Sequence, residues 1–310
     1  MKMRKLIALT VCALMLTAAF SCTASAAGET YVALGDSISA GYNLSGGHFD
    51  EECFVSIFAR KNGFRKVNAA VDGMKADDVL DLLNSHRYDA DLSAAKAVTI
   101  TCGGNDLMAV LYGKLGERRG KSAEEMKYAF MNGNISGLKD AADVLATVKD
   151  SAEFKNALDT FISQLNEITA YIHRLNPSAV IITETQYNPY GKFTGLYKSK
   201  VGDPVGECVR ELNKRIVSNA QTGGYLVADV YTAFEKSSEN LCNASQSPIV
   251  IDFHPNAAGH AVIADCFMQA YTGEKAPSFN SDRIIQIVII AAVAAVAVFA
   301  AVGFIKSRKK

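Results

Sequence analysis

The sequence predicts a three-layer α/β/α domain built on a five-stranded parallel sheet, and three observations carry that prediction. Short apolar runs alternate with longer amphipathic ones, the pattern of βαβ units whose sheet is covered on both faces. Glycines follow the first three apolar runs closely, where a parallel sheet turns its chain at the carboxyl edge. Between residues 28 and 273 there is no long linker, repeat or low-complexity tract, so one domain accounts for the whole stretch.

The strands are predicted at Thr30 to Leu34, Lys66 to Val71, Ala97 to Cys102, Val180 to Glu184 and Tyr225 to Val230. The clearest helix is predicted from Ser151 to Leu175, because Phe154, Leu158, Phe161, Ile162, Leu165, Ile168, Ile172 and Leu175 recur at three- and four-residue spacing. Asp150 and Glu153 are candidates to cap its start, and Asn176-Pro177 stops it. A last helix should follow Pro255 and end near Gly273. Residues 107–149 read as a helical insertion rather than sheet, placed to form a cap over one end of the strands.

Both ends of the chain carry apolar segments that stand apart from the fold. Lys2, Arg4 and Lys5 precede an apolar run from Leu6 to Phe20, and Ala24-Ser25-Ala26 supplies the small residues of a cleavage site. Residues 1–26 are therefore expected to be a secretory signal peptide, with the domain proper spanning 27–273. Residues 274–283 read as a stalk. Residues 284–305 are apolar except for Gln286 and long enough, at 1.5 Å per residue, to cross a hydrocarbon core of about 30 Å. The basic tail at 306–310 belongs on the cytoplasmic side. A single-pass cell-membrane protein with its domain outside is the expected topology.

Lys and Arg total 32, as do Asp and Glu, so the formal net charge is zero and nucleic acid is not an expected partner. Cys53, Cys102, Cys208, Cys242 and Cys266 fall in the domain at spacings that match no zinc or CxxC pattern. Five cannot all pair. Some are expected to be buried thiols acting as small hydrophobes, with a Cys208–Cys242 disulfide left open.

Four blocks carry the chemistry. The first strand runs into Gly35-Asp36-Ser37, which seats a serine hydroxyl at the sheet's carboxyl edge, although a serine there also serves as an N-cap. Asp72-Gly73 follows the second strand and Gly103-Gly104-Asn105-Asp106 the third. Asp252-Phe253-His254-Pro255 places a histidine just before the last helix with an acid two residues earlier. Together the blocks resemble the GDSL/SGNH hydrolases, whose Ser, Gly, Asn and His occur in this order. The likeness covers Thr30 to roughly Tyr271.

The resemblance implies a flavodoxin-like SGNH hydrolase fold and a carboxylic ester hydrolase working through an acyl-enzyme. Ser37 is implied as nucleophile, His254 as general base and Asp252 as the acid that orients the imidazole. Many members place the acid three residues before the histidine, where this chain has Ile251; Asp229 is the alternative acid. The oxyanion donors are implied to be the backbone N–H groups of Ser37 and Gly73 and the side-chain amide of Asn105. Asn188-Pro189-Tyr190 resembles a family segment bordering the pocket, so Asn188, Tyr190 and the nearby Tyr187 are candidate substrate contacts, a rigid turn being the other reading. No metal or cofactor is required. The expected partner is a small-molecule, lipid or glycan ester, with carbohydrate O-acetylesterase and non-catalytic surface binding protein as alternatives.

Overall fold

The computed structural model describes residues 28–131 and 138–273. The signal peptide, stalk, membrane helix and basic tail expected from the sequence lie outside these residues. Among the described residues, no helix is long and apolar enough to cross a membrane.

Five strands form one parallel sheet: β1 (Thr30–Gly35), β2 (Arg65–Asn68), β3 (Ala95–Thr101), β4 (Val180–Glu184) and β5 (Leu226–Ala228), in the order β2-β1-β3-β4-β5. All six residues of β1 are buried, as expected for a strand covered on both faces. Alternation divides its side chains between two cores. Tyr31 and Ala33 join Phe54, Phe58 and Phe267 on one face, while Val32 and Leu34 join Leu165, Ile168 and Ile172 on the other. Complete burial of each large apolar side chain, as for Phe58 and Leu165, stabilises the fold by about 1.5–3 kcal/mol.

Helix α1 (Ser37–Ala40) follows β1 directly, and α2 (Phe54–Asn62) covers the Tyr31 face. Helix α3 (Ala76–Asn84) follows β2. Helices α4 (Gly104–Arg119), α5 (Ala123–Met131) and α6 (Leu138–Val148) make up the expected helical insertion. Helix α7 (Ala152–Leu175) matches the prediction within one residue, but its cap is Ser151, whose hydroxyl accepts from Phe154 N at 3.2 Å. Helices α8 (Asp203–Gly223), α9 (Val230–Lys236) and α10 (Ala257–Thr272) complete the layers.

Two strands are shorter than predicted for a local reason. The predicted second strand reaches Val71, but Asn68 Oδ1 accepts from Ala70 N at 3.1 Å and turns the chain after Asn68. The predicted fifth strand reaches Val230, yet Asp229 accepts from Thr232 N at 3.1 Å and starts α9 there. All five cysteines of the domain are buried free thiols, so the Cys208–Cys242 disulfide does not form. Burial raises all five thiols above their ordinary range.

Candidate active site

The register of the sheet decides where the site lies. Gly35 pairs with Thr101, so the turns after β1 and β3 leave the same edge side by side. Gly35 has φ 124°, and a Cβ there would sit 1.9 Å from Thr101 O, so only glycine fits. Asp36 then caps α1: its Oδ1 accepts from Ile38 N at 3.0 Å and from the Thr101 hydroxyl at 2.9 Å. Ser39 Oγ shares a hydrogen bond with the same Thr101 hydroxyl at 2.8 Å. This interlock makes Ser37 the first residue of α1. Burial pushes the Asp36 carboxyl up to about 6, against the hydrogen bonds that favour its charge.

The other half of the site arrives from 217 residues further along the chain. His254 Nε2 lies 2.9 Å from Ser37 Oγ, and His254 Nδ1 lies 2.6 Å from Asp252 Oδ1. Both Ser37 and His254 are buried. The imidazole is flanked by Tyr42 and Phe253, each ring centroid at 4.5 Å. The second carboxylate oxygen of Asp252 accepts from Asn43 Nδ2 at 2.8 Å and Asn243 Nδ2 at 3.1 Å. Partial burial works against ionisation of Asp252, but hydrogen bonds from the His254 ring, the His254 backbone and Asn43 outweigh it and hold the carboxyl at about 2. An ionised Asp252 accepts the Nδ1 proton, which leaves Nε2 as the acceptor facing the serine.

Asn105, on the first turn of α4, donates its side-chain amide to Met74 O at 3.1 Å and lies 3.5 Å from Asp36 Oδ2. The amide therefore stands between the serine turn and the turn containing Gly73, which has φ 79°. Asp106 fixes the start of α4 by accepting from Gly103 N at 3.1 Å and Ala76 N at 3.3 Å. Burial raises Asp106 to about 6.

From Ser37 an apolar cavity of about 200 Å³ runs beneath the helical insertion. Leu107, Met108 and Leu111 of α4, Leu145 of α6, and Val205 and Leu212 of α8 line its length. Besides its tyrosines, its polar or charged lining side chains are Asp36, Ser37, Asn105, Arg119, Gln186 and Gln246.

The remaining candidates separate cleanly. Tyr187 and Tyr190 line the cavity, whereas Asn188 spends its amide on the turn: Oδ1 accepts from Tyr190 N at 3.1 Å and Nδ2 donates to Gly202 O at 2.9 Å. Asp229 caps α9 and accepts from the Thr185 hydroxyl at 3.4 Å. Among the other histidines, His48 pairs with Asp72 at 2.6 Å and His173 donates to Gly224 O at 2.9 Å. His86 lies 3.0 Å from Asp89. His260 is buried with Phe54 N donating to its Nδ1, and burial lowers its pKa to about 4. Sequence reasoning missed Asn43 and Asn243, since single asparagines in loops carry no signal of a partner 209 residues away or across a turn. It also missed Glu184, a fully buried carboxyl whose Oε2 has no hydrogen-bond partner and whose pKa burial raises strongly. Its place at the end of β4 was legible, but its burial was not.

Several solved structures share this architecture. An extracellular lipase from Streptomyces rimosus superposes with a TM-score of 0.55 at 20% identity, covering 78% of this chain and 100% of its own. Phospholipase A1 from Streptomyces albidoflavus NA297 gives 0.53 at 21%, covering 80% and 100%. An acetyl xylan esterase from Geobacillus stearothermophilus gives 0.50 at 18%, covering 81% and 98%. The protein YpmR of Bacillus subtilis (strain 168) is 24% identical over 210 residues, which is 68% of this chain and 67% of YpmR. The five-stranded parallel sheet is that of the SGNH fold. Residues 33–262 match the model of the GDSL-like lipase/acylhydrolase family, and with well over half its length so matched, the chain belongs to that family.

Proposed function

We propose that this protein is a serine hydrolase of carboxylic esters whose acyl chain lies in the apolar cavity, and that it works through an acyl-enzyme. The observation that carries the proposal is the unbroken hydrogen-bonded line from Asp252 through His254 to Ser37. As Ser37 Oγ attacks the ester carbonyl carbon, its proton passes to His254 Nε2 and the C–Oγ bond forms. Asp252 stabilises the imidazolium through Nδ1. The tetrahedral intermediate collapses, the alcohol leaves with the proton from Nε2, and a water repeats the sequence to release the acid. The backbone N–H groups of Ser37 and Gly73 and the Asn105 amide are the donors proposed for the oxyanion. Asn105 must then exchange one present partner, Met74 O or Asp36, for the substrate oxygen.

The apolar lining favours esters of medium or long acyl chains over the acetylated glycan that the O-acetylesterase reading requires. Each methylene moved from water into such a lining is worth about 0.8 kcal/mol, so selectivity for chain length should be steep until the cavity is full. The test is a panel of p-nitrophenyl esters from acetate to palmitate, with Ser37→Ala and His254→Ala beside the wild type and a fluorophosphonate probe for the serine. Turnover that climbs with chain length, together with its loss by on the order of 10⁶-fold in either variant, is the expected result. Best turnover on acetate would favour the O-acetylesterase, and no turnover or labelling at all would leave a surface binding protein.

Residues 284–305 are proposed to anchor the domain on the outer face of the cell membrane, on the strength of their length, apolarity and basic flank. Protease added to intact cells should release the domain by cutting within 274–283; protection of the domain would reverse the orientation.

A further inference from the structure

The acid–base segment of the site is held by two tyrosines that also line the cavity. Residues 251–253 lie outside every helix and strand, so their carbonyls join no regular ladder. Tyr190 Oη donates to Ile251 O at 2.9 Å and Tyr187 Oη donates to Phe253 O at 3.0 Å. These carbonyls flank Asp252 on either side, and His254 follows at once. Both tyrosines come from the turn after β4, a rigid element of the sheet, and that turn is itself fixed by Asn188. Their rings are packed in place, Tyr187 stacked on Phe234 at 4.6 Å and Tyr190 against Phe193 at 5.3 Å.

We infer that Tyr187 and Tyr190 are positioning residues that set the placement of Asp252 and His254 relative to Ser37. The inference rests on the reading of those three as the catalytic line. Physically, a hydroxyl on a packed ring is a rigid strut: the ring cannot swing and the Oη–carbonyl bond fixes one point of the loop. Two struts on either side of Asp252 fix a position and a direction. A displacement of about 1 Å in a catalytic group is enough to cost on the order of 10²-fold. The struts are therefore placed where a small loosening has a large kinetic effect. Because the same rings wall the cavity, a hydrocarbon chain bound there packs directly against the side chains that hold the base.

Tyr187→Phe and Tyr190→Phe remove the hydroxyls and keep the rings. Each should lower kcat on a p-nitrophenyl butyrate substrate by about tenfold while KM stays within twofold, since the loss is of a buried hydrogen bond that acts on the reacting groups and not on substrate binding. Tyr225→Phe is the matched control. Its hydroxyl donates to Ile216 O at 2.7 Å, again a buried tyrosine tied to a carbonyl, but in the α8 region and absent from the cavity wall. It should lower the thermal midpoint as the other two do and leave kcat unchanged. The rate of fluorophosphonate labelling at Ser37 should fall in step with kcat in the Tyr187 and Tyr190 variants, which reads the base without any substrate chain. The inference is overturned if KM rises with kcat intact, if both constants match the wild type, or if Tyr225→Phe loses kcat equally. It also falls if the wild type turns over no ester, an outcome that removes the catalytic reading with it, whereas normal turnover in the two variants removes this inference alone.

Discussion

Ser37 and His254 meet at one hydrogen bond, yet the chain secures them by different means. Ser37 is fixed by its own neighbourhood: a glycine that only fits bare, an aspartate capping the helix it begins, and a threonine on the adjacent strand, all at the edge of the sheet. His254 sits on a loop that belongs to no regular element and is held by four side chains from three separate places, Asn43, Asn243, and Tyr187 with Tyr190. Determinants next to it in the chain and on the adjacent strand set the nucleophile; partners brought from elsewhere in the chain set most of the placement of the base. The expectation is that damage to the loop costs rate far more than it costs fold, because the sheet does not depend on it.

Asp252→Asn tests this most severely. An asparagine keeps the size and part of the hydrogen bonding but can present an amide N–H to the ring, which would favour the wrong tautomer, so kcat should fall on the order of 10⁴-fold. The unfolding midpoint in urea should move little. A fall of less than tenfold would mean that the loop orients the imidazole without its acid, and Asp229 would have to be reconsidered despite its cap role. Asn105→Ala comes next. It stands between the two regions, on a helix started by Gly103 and Asp106 but reaching toward the serine turn. Loss of one oxyanion donor should reduce kcat by about 10²- to 10³-fold with KM little changed. A change below threefold in kcat would assign the amide to holding Met74 in place.

The same contrast explains what could be read in the sequence. Apart from β2, the strands are mainly apolar runs and the 151–175 helix repeats its apolar residues at helical spacing, so period and turn residues sufficed to place them. The serine turn was legible because its determinants are consecutive: Gly35, Asp36 and Ser37. The 107–149 insertion was legible as helix but not as the wall of a cavity, because facing residues of α4, α6 and α8 meet only in three dimensions. Strand ends were misread at Asn68 and Asp229, where a short polar side chain captures a backbone N–H two or three residues on and turns the chain earlier than hydropathy suggests. Asn43, Asn243, Tyr187 and Tyr190 left no trace as supports of the base, since their partners are distant or their type is common in loops.

The nucleophile region has a further property the loop lacks, and it yields the smallest predicted effect. Asp36 is buried and Asp106 half-buried beneath the serine and asparagine turns, each raised to about 6 by desolvation. A carboxyl whose folded pKa exceeds its unfolded value near 3.8 keeps its proton in the folded state after the unfolded chain has released it. Stability is therefore greatest below pH 3.8 for these groups, falls as pH rises from about 4 to about 6, and is level above that. Asp252 has the opposite sign, its stabilisation being present above 3.8 and lost only as pH falls toward 2. In the same window the Glu184 carboxyl, also raised by burial, adds to the two aspartates, whereas His260, lowered to about 4, has the opposite sign and gains stability as pH rises from about 4 to 6.5; Asp36 and Asp106 each contribute at most about 3 kcal/mol for a shift of this size. The share of Asp36 is read by difference: in urea, the stability of Asp36→Asn relative to the wild type should rise from pH 4.5 to pH 7.0, while that of Asp252→Asn relative to the wild type should change little over the same range. A difference between Asp36→Asn and the wild type that stays level from pH 4.5 to 7.0 would mean that Asp36 ionises freely in the folded protein. In that case the turn under Ser37 is hydrated, and the rigidity assigned to the nucleophile side would have to come from the glycine and the strand alone.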